Sequence, residues 1–118
     1  MENYPEIDNY LKLLREKREL SKDKEKNGDK LQELQLKINS SQKDVIDIVE
    51  DILTEMGLKK RKILSDFDVK MKFDAGLMIK FRNVPSIDFK TKFEKKISSL
   101  VSANYCGDAR RVFYMFKY

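Results

Sequence analysis

The side chains that most often carry catalytic chemistry are nearly absent from this chain. It contains no histidine and a single cysteine, Cys106. Without an imidazole the chain lacks the usual general base near neutral pH and the usual nitrogen ligand of zinc. Neither a Ser–His nor a Cys–His nucleophile system can be assembled from these residues. The sequence therefore predicts a protein that is not an enzyme and that holds no metal or other cofactor.

One group of two carboxylates and an amine does have a spacing that chemistry can use. Asp66, Asp68 and Lys70 alternate with other residues, so they share one side of any strand that they form. Metal-assisted attack on a phosphodiester needs carboxylates converging on a hard cation, with a lysine near the phosphate. The D-x-K spacing resembles that of metal-dependent nucleases of the restriction-endonuclease type, whose pattern includes a further acid on a preceding strand, whereas only helix is predicted before Asp66. We therefore treat hydrolysis as a minor alternative to binding.

Charge is distributed unevenly between the two halves of the chain. The 118 residues have a net charge of +5. Residues 1–57 hold 10 basic and 14 acidic residues, a net −4, whereas residues 58–118 hold 15 basic and 6 acidic residues, a net +9. A basic segment of this kind favours a polyanionic partner. The solubility of a lysine-rich protein is the alternative explanation.

Composition also indicates size and location. A chain of 118 residues fits one domain with a helical extension. No apolar run approaches the roughly 20 residues of a membrane span, and the N-terminal sequence MENYPEID lacks the features of a signal peptide. The lone cysteine excludes an intrachain disulfide and indicates a reducing compartment. We expect a cytoplasmic protein, or a nuclear one in a eukaryote, with no membrane partner.

Residues 1–57 are predicted to form an acidic helical segment. A first helix is expected over residues 5–26, and Asn27-Gly28 is a turn signal. The second helix ends at Gly57 and has an apolar seam. The seam can form a dimeric coiled coil with a second chain, or an antiparallel hairpin with the first helix. It is also the surface through which an adaptor would bind another protein. Its residues are Leu31, Leu34, Ile38, Val45, Ile48 and Ile52.

Residues 58–118 are predicted to form a basic β-β-α-β domain. Alternating apolar residues on both sides of the turn Asp74-Ala75-Gly76 are typical of a β-hairpin, and they put Phe73 on the buried side with Phe67. Ser86 is a candidate cap for a helix that ends near residues 104–107. The aromatic C-terminal segment predicts a third strand. The fold class is therefore α+β, with a helical hairpin or coiled coil followed by a small three-stranded sheet.

The outward side of this sheet is the candidate functional surface. Its basic residues suit a phosphate backbone, and an exposed ring at Phe113 offers a stacking platform for a base. The basic run 59–62 lies at the joint between the two halves and would extend the contact. Lysines on exposed strands also protect against edge pairing, which is the purely structural alternative. The predicted contacts are Lys59, Lys60, Arg61, Lys62, Lys70, Lys72, Lys80, Arg82, Arg111, Phe113 and Lys117.

These patterns lead to one preferred hypothesis and one alternative. The preferred hypothesis is a homodimeric nucleic-acid-binding protein that contacts DNA or RNA mainly through phosphates. The alternative is a protein–protein adaptor, assembly factor or inhibitor that binds a larger protein through its helices. Neither hypothesis requires a cofactor.

Overall fold

The computed structural model describes residues 4–103 and 108–118. Two long helices precede a four-stranded antiparallel sheet, with a third helix inserted between the second and third strands. The α+β class predicted from the sequence is confirmed. The helices are α1 (Pro5–Leu20), α2 (Lys24–Glu55) and α3 (Ile87–Lys96), and the strands are β1 (Phe67–Phe73), β2 (Gly76–Phe81), β3 (Leu100–Ala103) and β4 (Arg111–Phe116).

Helices α1 and α2 form an antiparallel hairpin. The Lys17 ammonium donates to the Gln35 side chain at 2.6 Å, and the Gln42 amide donates to the Tyr10 hydroxyl at 3.3 Å. Lower numbers in α1 therefore face higher numbers in α2, and the helices run in opposite directions. Of the two arrangements that the sequence leaves open, the chain forms the intramolecular hairpin. Its buried residues are Ile7, Tyr10, Leu11 and Leu14 of α1 and Leu34, Ile38, Val45, Val49, Ile52 and Leu53 of α2.

The turn of this hairpin lies earlier than the sequence predicted. The chain reverses in a single 3₁₀ turn, Ser21–Asp23. The Asp23 carboxylate caps α2 by accepting a hydrogen bond from the Lys26 amide at 3.1 Å. Asn27-Gly28, the expected bend, lies inside α2. A glycine inside a helix costs only about 1 kcal/mol, so a well-capped start several residues earlier outweighs it.

The sheet has four strands, not the predicted three, in the order β1-β2-β4-β3. The extra strand is β3, whose residues Leu100 and Val101 fall within the longer helix that the sequence predicted to end near residues 104–107. Helix α3 instead ends at Lys96, and Leu100 pairs with Phe116 of β4. The helical spacing of the apolar residues continued past this point, but strand pairing with β4 prevailed, because strand formation depends on neighbours more than on local pattern. The helix end expected at residues 104–107 lies outside the described residues.

All three helices pack on the same face of the sheet. Tyr10 of α1 contacts Phe116 with ring centroids 5.8 Å apart, and Phe93 of α3 contacts Tyr114 at 5.5 Å. The two segments 1–57 and 58–118 share one continuous apolar core. Its members from the sheet are Phe67, Val69, Leu77, Ile79, Phe81, Leu100, Val112, Tyr114 and Phe116.

A polar cluster joins the helical hairpin to the turn between β1 and β2. The Tyr10 hydroxyl donates to the Asp74 carbonyl at 2.6 Å, and the Lys17 ammonium lies 2.6 Å from the Asp74 carboxylate. Gln35 and Gln42 also donate to that carboxylate, at 3.2 and 3.4 Å. Burial raises the pKa of Tyr10 to about 12. The neutral hydroxyl is therefore the form that serves as the donor in this cluster.

Helix α2 is 32 residues long. Even so, no helix within the described ranges has both the length and the apolar content needed to cross a membrane. The exposed faces of α1 and α2 are instead rich in charged residues.

Two glycines are expected to respond oppositely to alanine. Gly28→Ala should raise the free energy of unfolding by about 0.5–1 kcal/mol, because alanine is the better helix residue and a Cβ there meets no atom within 4 Å. Gly57→Ala should lower it by about 1–2 kcal/mol, because Gly57 has φ of +103°. Urea denaturation measures both. Destabilisation by Gly28→Ala would argue against a helical residue 28.

A second pair of substitutions compares two buried hydroxyls. Tyr10→Phe should lower the free energy of unfolding by about 1 kcal/mol, because it leaves the Asp74 carbonyl without its donor. Tyr114→Phe should be neutral or slightly stabilising, because the Tyr114 hydroxyl is buried with no hydrogen-bond partner among the described residues. Burial raises the pKa of Tyr114, and the charge of the nearby Glu94 adds to this effect. Equal losses in the two variants would contradict this assignment.

Candidate nucleic-acid interface

The sheet face opposite the helices is exposed, and we call it the open face. Strand alternation determines its members, since successive side chains point to opposite sides. The strand register aligns Lys70 beside Met78, Met78 beside Phe113, and Phe113 beside Ala103. No helix or strand of the described chain covers this row. The open face comprises Asp68, Lys70, Lys72, Phe73, Met78, Lys80, Val101, Ala103, Arg111, Phe113 and Met115.

A β-bulge brings an additional aromatic ring to the open face. The register shifts between Met71 and Phe73, so that Phe73 pairs with Gly76. The Phe73 ring consequently leaves the buried series and lies 5.4 Å from the Phe113 ring, centroid to centroid, at an interplanar angle of 43°. It is 51% exposed. The sequence prediction that Phe73 lies on the buried side is therefore wrong, because the bulge interrupts strict alternation.

The close approach of these two rings depends on Gly76. A Cβ at this position would lie 2.7 Å from two carbons of the Phe73 ring and 2.9 Å from the Phe113 Cζ. Only glycine leaves room for both rings over the backbone of β2. We call Phe73 and Phe113 the aromatic pair. The sequence showed Gly76 only as a turn residue, and nothing in its spacing indicated this packing.

Other apolar side chains widen the surface around the aromatic pair. Met78 and Met115 are half-buried, and Val101 is 39% exposed. Met115 pairs with Gly76 on one side and with Val101 on the other. The sequence pattern assigned no role to these apolar positions. The centre of the open face is therefore apolar and aromatic rather than uniformly charged.

Basic side chains border this apolar centre. Lys80 and Arg111 are exposed and directly opposite each other on β2 and β4. Lys70 and Lys72 are exposed on the edge strand β1, and the Lys70 ammonium lies 3.6 Å from the carboxylate of Asp68, the acidic residue of the face. Two more predicted contacts extend this border beyond the strand ends. They are Arg82, after β2, and Lys117, after β4, and both are exposed.

A groove continues the open face towards the joint. Its volume is about 380 Å³, and Lys80 and Arg82 line it together with Arg110. Leu64, which follows the basic run 59–62, borders the same groove. The Arg110 guanidinium pairs with Asp108 at 2.9 Å, and this interaction holds the pKa of Asp108 down at about 2. The groove thus connects the joint to the basic border of the sheet.

The joint, residues 59–66, is held in shape by hydrogen bonds among its own residues, although it is rich in basic side chains. The Lys59 amide donates to the Asp66 carboxylate at 2.9 Å, and the Asp66 amide donates to the Lys59 carbonyl at 2.9 Å. The Arg61 amide donates to the Ser65 hydroxyl at 3.1 Å. Lys59, Arg61 and Lys62 are exposed. These three side chains extend from a fixed loop.

Lys60 differs from its neighbours in the basic run. Its ammonium lies 2.6 Å from the Glu50 carboxylate of α2, and this hydrogen bond raises the pKa of Lys60. The side chain is therefore directed to the helical side of the molecule, away from the open face. Lys60 thus differs from Lys59, Arg61 and Lys62 in having an acidic partner on α2, although its side chain is 63% exposed.

The carboxylates of the minor catalytic alternative do not converge. Asp66 accepts the Lys59 amide within the joint, whereas Asp68 faces Lys70 on the sheet. Within residues 4–103 and 108–118, no group of three or more carboxylate, imidazole or thiol side chains is placed to hold a metal ion. Cys106, the lone thiol, lies outside the described residues.

The predicted interface seam of α2 is mostly internal. Four of its six residues, Leu34, Ile38, Val45 and Ile52, are at most 5% exposed within the single chain. Leu31 and Ile48 are half-buried. The seam packs against α1 and the sheet, so these four side chains are not available as an oligomer or partner interface. The heptad pattern indicated that these residues are buried, but it did not show which part of the structure they pack against.

Comparison with known proteins does not assign the chain to a family. No protein-family model, curated protein or solved structure matches it. Function is therefore inferred from the charge and the aromatic rings of the open face.

Substitution of Gly76 is expected to disturb the aromatic pair. Gly76→Ala should cost about 1 kcal/mol of folding free energy, because the new methyl group displaces the half-exposed Phe73 ring from a favourable rotamer. The cost should be smaller in a Phe73→Ala background, where that ring is absent. Urea denaturation of the two single variants and the double variant gives this coupling. Strictly additive effects would show that the ring does not pack over Gly76.

Proposed function

We propose that the protein is a non-enzymatic nucleic-acid-binding protein and that the open face is its binding surface. The observation that supports this most directly is the combination, on one uncovered face, of basic residues with an aromatic pair in which Phe73 is exposed and Phe113 is half-buried. Phosphates are attracted by the border, and the rings suit the faces of bases. The face itself carries four basic residues against the single acid Asp68, and two more basic residues lie just beyond the strand ends. The six are Lys70, Lys72, Lys80, Arg82, Arg111 and Lys117.

Most of the affinity would come from phosphate contacts. Exposed lysines on strands are point charges on flexible stems, which neutralise phosphates without reading base edges. Lys59, Arg61 and Lys62 would extend the contact beyond the groove at the end of the sheet. We therefore expect weak dependence on sequence and strong dependence on salt.

Self-association and location are further parts of the proposal. A homodimer, or a protein partner on the helical hairpin, would have to use surface other than the four buried seam residues. Leu36 of α2, 69% exposed, is one apolar side chain outside that seam. On composition, we propose a cytoplasmic location, or a nuclear one in a eukaryote.

The salt dependence of binding tests the basic border. Lys80→Ala/Arg111→Ala should reduce the slope of log K against log salt by about 1.4 on a single strand or about 1.8 on B-form DNA, because two phosphate contacts are lost. Fluorescence anisotropy of labelled oligonucleotides at several salt concentrations gives the slope.

A matched control removes the same charge from the helical hairpin. Lys37→Ala/Lys43→Ala changes two exposed lysines of α2, on the opposite side of the molecule from the open face. We expect it to leave the slope unchanged. If both double variants lower affinity equally, attraction is general and the open face is not the binding surface. If the parent protein does not bind nucleic acid even at low salt, the proposed function is wrong.

A further inference from the structure

We propose that the open face is selective for single-stranded nucleic acid and binds unpaired bases on the aromatic pair. This inference rests on the proposed function and specifies its ligand. In a duplex the faces of the bases are stacked within the helix, and an aromatic side chain on a sheet cannot reach them. A basic surface without rings would have no such preference. The position of Phe73 and Phe113 relative to the basic border therefore determines the ligand class.

Phe113 lies on the inner strand β4 and Phe73 ends the edge strand β1, while Lys80 and Arg111 lie towards the other end of the sheet and Lys70 and Lys72 lie along β1. Phe113 is flanked by Met78 on β2 and Ala103 on β3, and Lys70 begins the same row on β1. Neighbouring strands are about 4.8 Å apart, so this row spans roughly 14 Å. A strand whose phosphates follow the basic border would have its bases directed over the rings. This is the arrangement that non-specific single-strand binding requires.

The exposure of Phe73 is a specific feature of the fold. Simple alternation would bury this ring, and the bulge between Met71 and Phe73 instead brings it to the open face. Gly76 then allows the ring to lie close to the backbone beside Phe113. Met78 and Met115 flank the pair with flexible, polarisable side chains that adapt to different bases. Together they favour stacking without strong base preference.

A second copy of the chain is a less suitable occupant of this face. A two-fold contact would place the same patch against itself, so the basic border of one copy would meet that of the other. Like charges at an interface are unfavourable, and only Asp68 is available on the face to offset them. A polyanion with exposed apolar rings complements both the border and the centre. Charge complementarity therefore favours nucleic acid.

The experiment compares ligands on the unmodified protein before any variant is used. Anisotropy is measured with a labelled single strand, with the same strand in a duplex, and with an abasic strand of equal length, in both DNA and RNA. The abasic strand keeps the phosphates and lacks the bases. We expect the single strand to bind at least about tenfold more tightly than the abasic strand, which corresponds to stacking of one or two bases. The duplex should bind no better than the abasic strand.

Variants then test the two rings. Phe73→Leu and Phe113→Leu keep an apolar side chain but remove the ring, and each should weaken single-strand binding by roughly 5- to 150-fold. The salt slope should not change, because no phosphate contact is lost. Tyr118→Leu removes an aromatic ring that packs against Arg18 of α1, at 4.8 Å, and should not affect binding. Circular dichroism confirms that each variant is folded.

Failure of this inference is distinguishable from failure of the proposed function. Equal affinity for the single strand, the duplex and the abasic strand would overturn single-strand selectivity, while salt-dependent binding that requires Lys80 and Arg111 would leave the proposed function intact. Absence of binding to every ligand would overturn both. A dimer that Phe73→Leu or Phe113→Leu converts to a monomer, without nucleic-acid binding, would identify the face as a contact between copies and would also overturn both.

Discussion

The burial of one face of a four-stranded sheet under three helices is the constraint on which the rest of this structure depends. Residues on the inner sides of β1, β2 and β4 are almost fully buried against α1, α2 and α3. With every helix on that side, the other side has to be compatible with water. Most such faces carry short polar or charged residues, whereas this one carries two phenylalanines and two methionines at its centre. Exposed apolar surface of this kind commonly marks a binding site.

Contacts from the helical hairpin also hold the turn between β1 and β2, which adjoins the open face. Asp74 follows Phe73 and is held by Tyr10, Lys17, Gln35 and Gln42 of the helical hairpin. The Lys17–Asp74 pair is partly exposed and contributes little alone, but four bonds to one residue determine where the turn lies. The residues on either side of this turn are those that shape the aromatic pair. Packing of the helical hairpin is therefore a condition for presenting the rings.

The sequence predicted the parts of this fold that depend on local pattern. Alternation around Asp74-Ala75-Gly76 predicted the β-hairpin and the outward lysines, and Ser86 does cap α3 by accepting the Phe89 amide at 3.0 Å. The errors concern non-local effects: pairing with β4 converts residues 100–103 to a strand. The ion pair between Lys60 and Glu50 of α2 is a further non-local contact that the sequence did not indicate. The ring of Phe73 changes faces because of a one-residue register shift, which periodicity cannot encode.

The difference in net charge between residues 1–57 and residues 58–118 makes the molecule electrostatically asymmetric. Residues 1–57, which form the helical hairpin, have a net charge of −4, whereas residues 58–118, which form the sheet, α3 and the loops between them, have +9. Lys60, the basic residue that turns towards the hairpin, pairs there with Glu50. A polyanion approaching this molecule is repelled by the hairpin and attracted to the opposite layer, where field and apolar rings coincide. Electrostatics alone would not distinguish a single strand from a duplex. In the proposed function the charges would attract and hold the phosphates, and the aromatic pair would add short-range contacts with the bases, so that affinity and choice of ligand would arise from different residues of one surface.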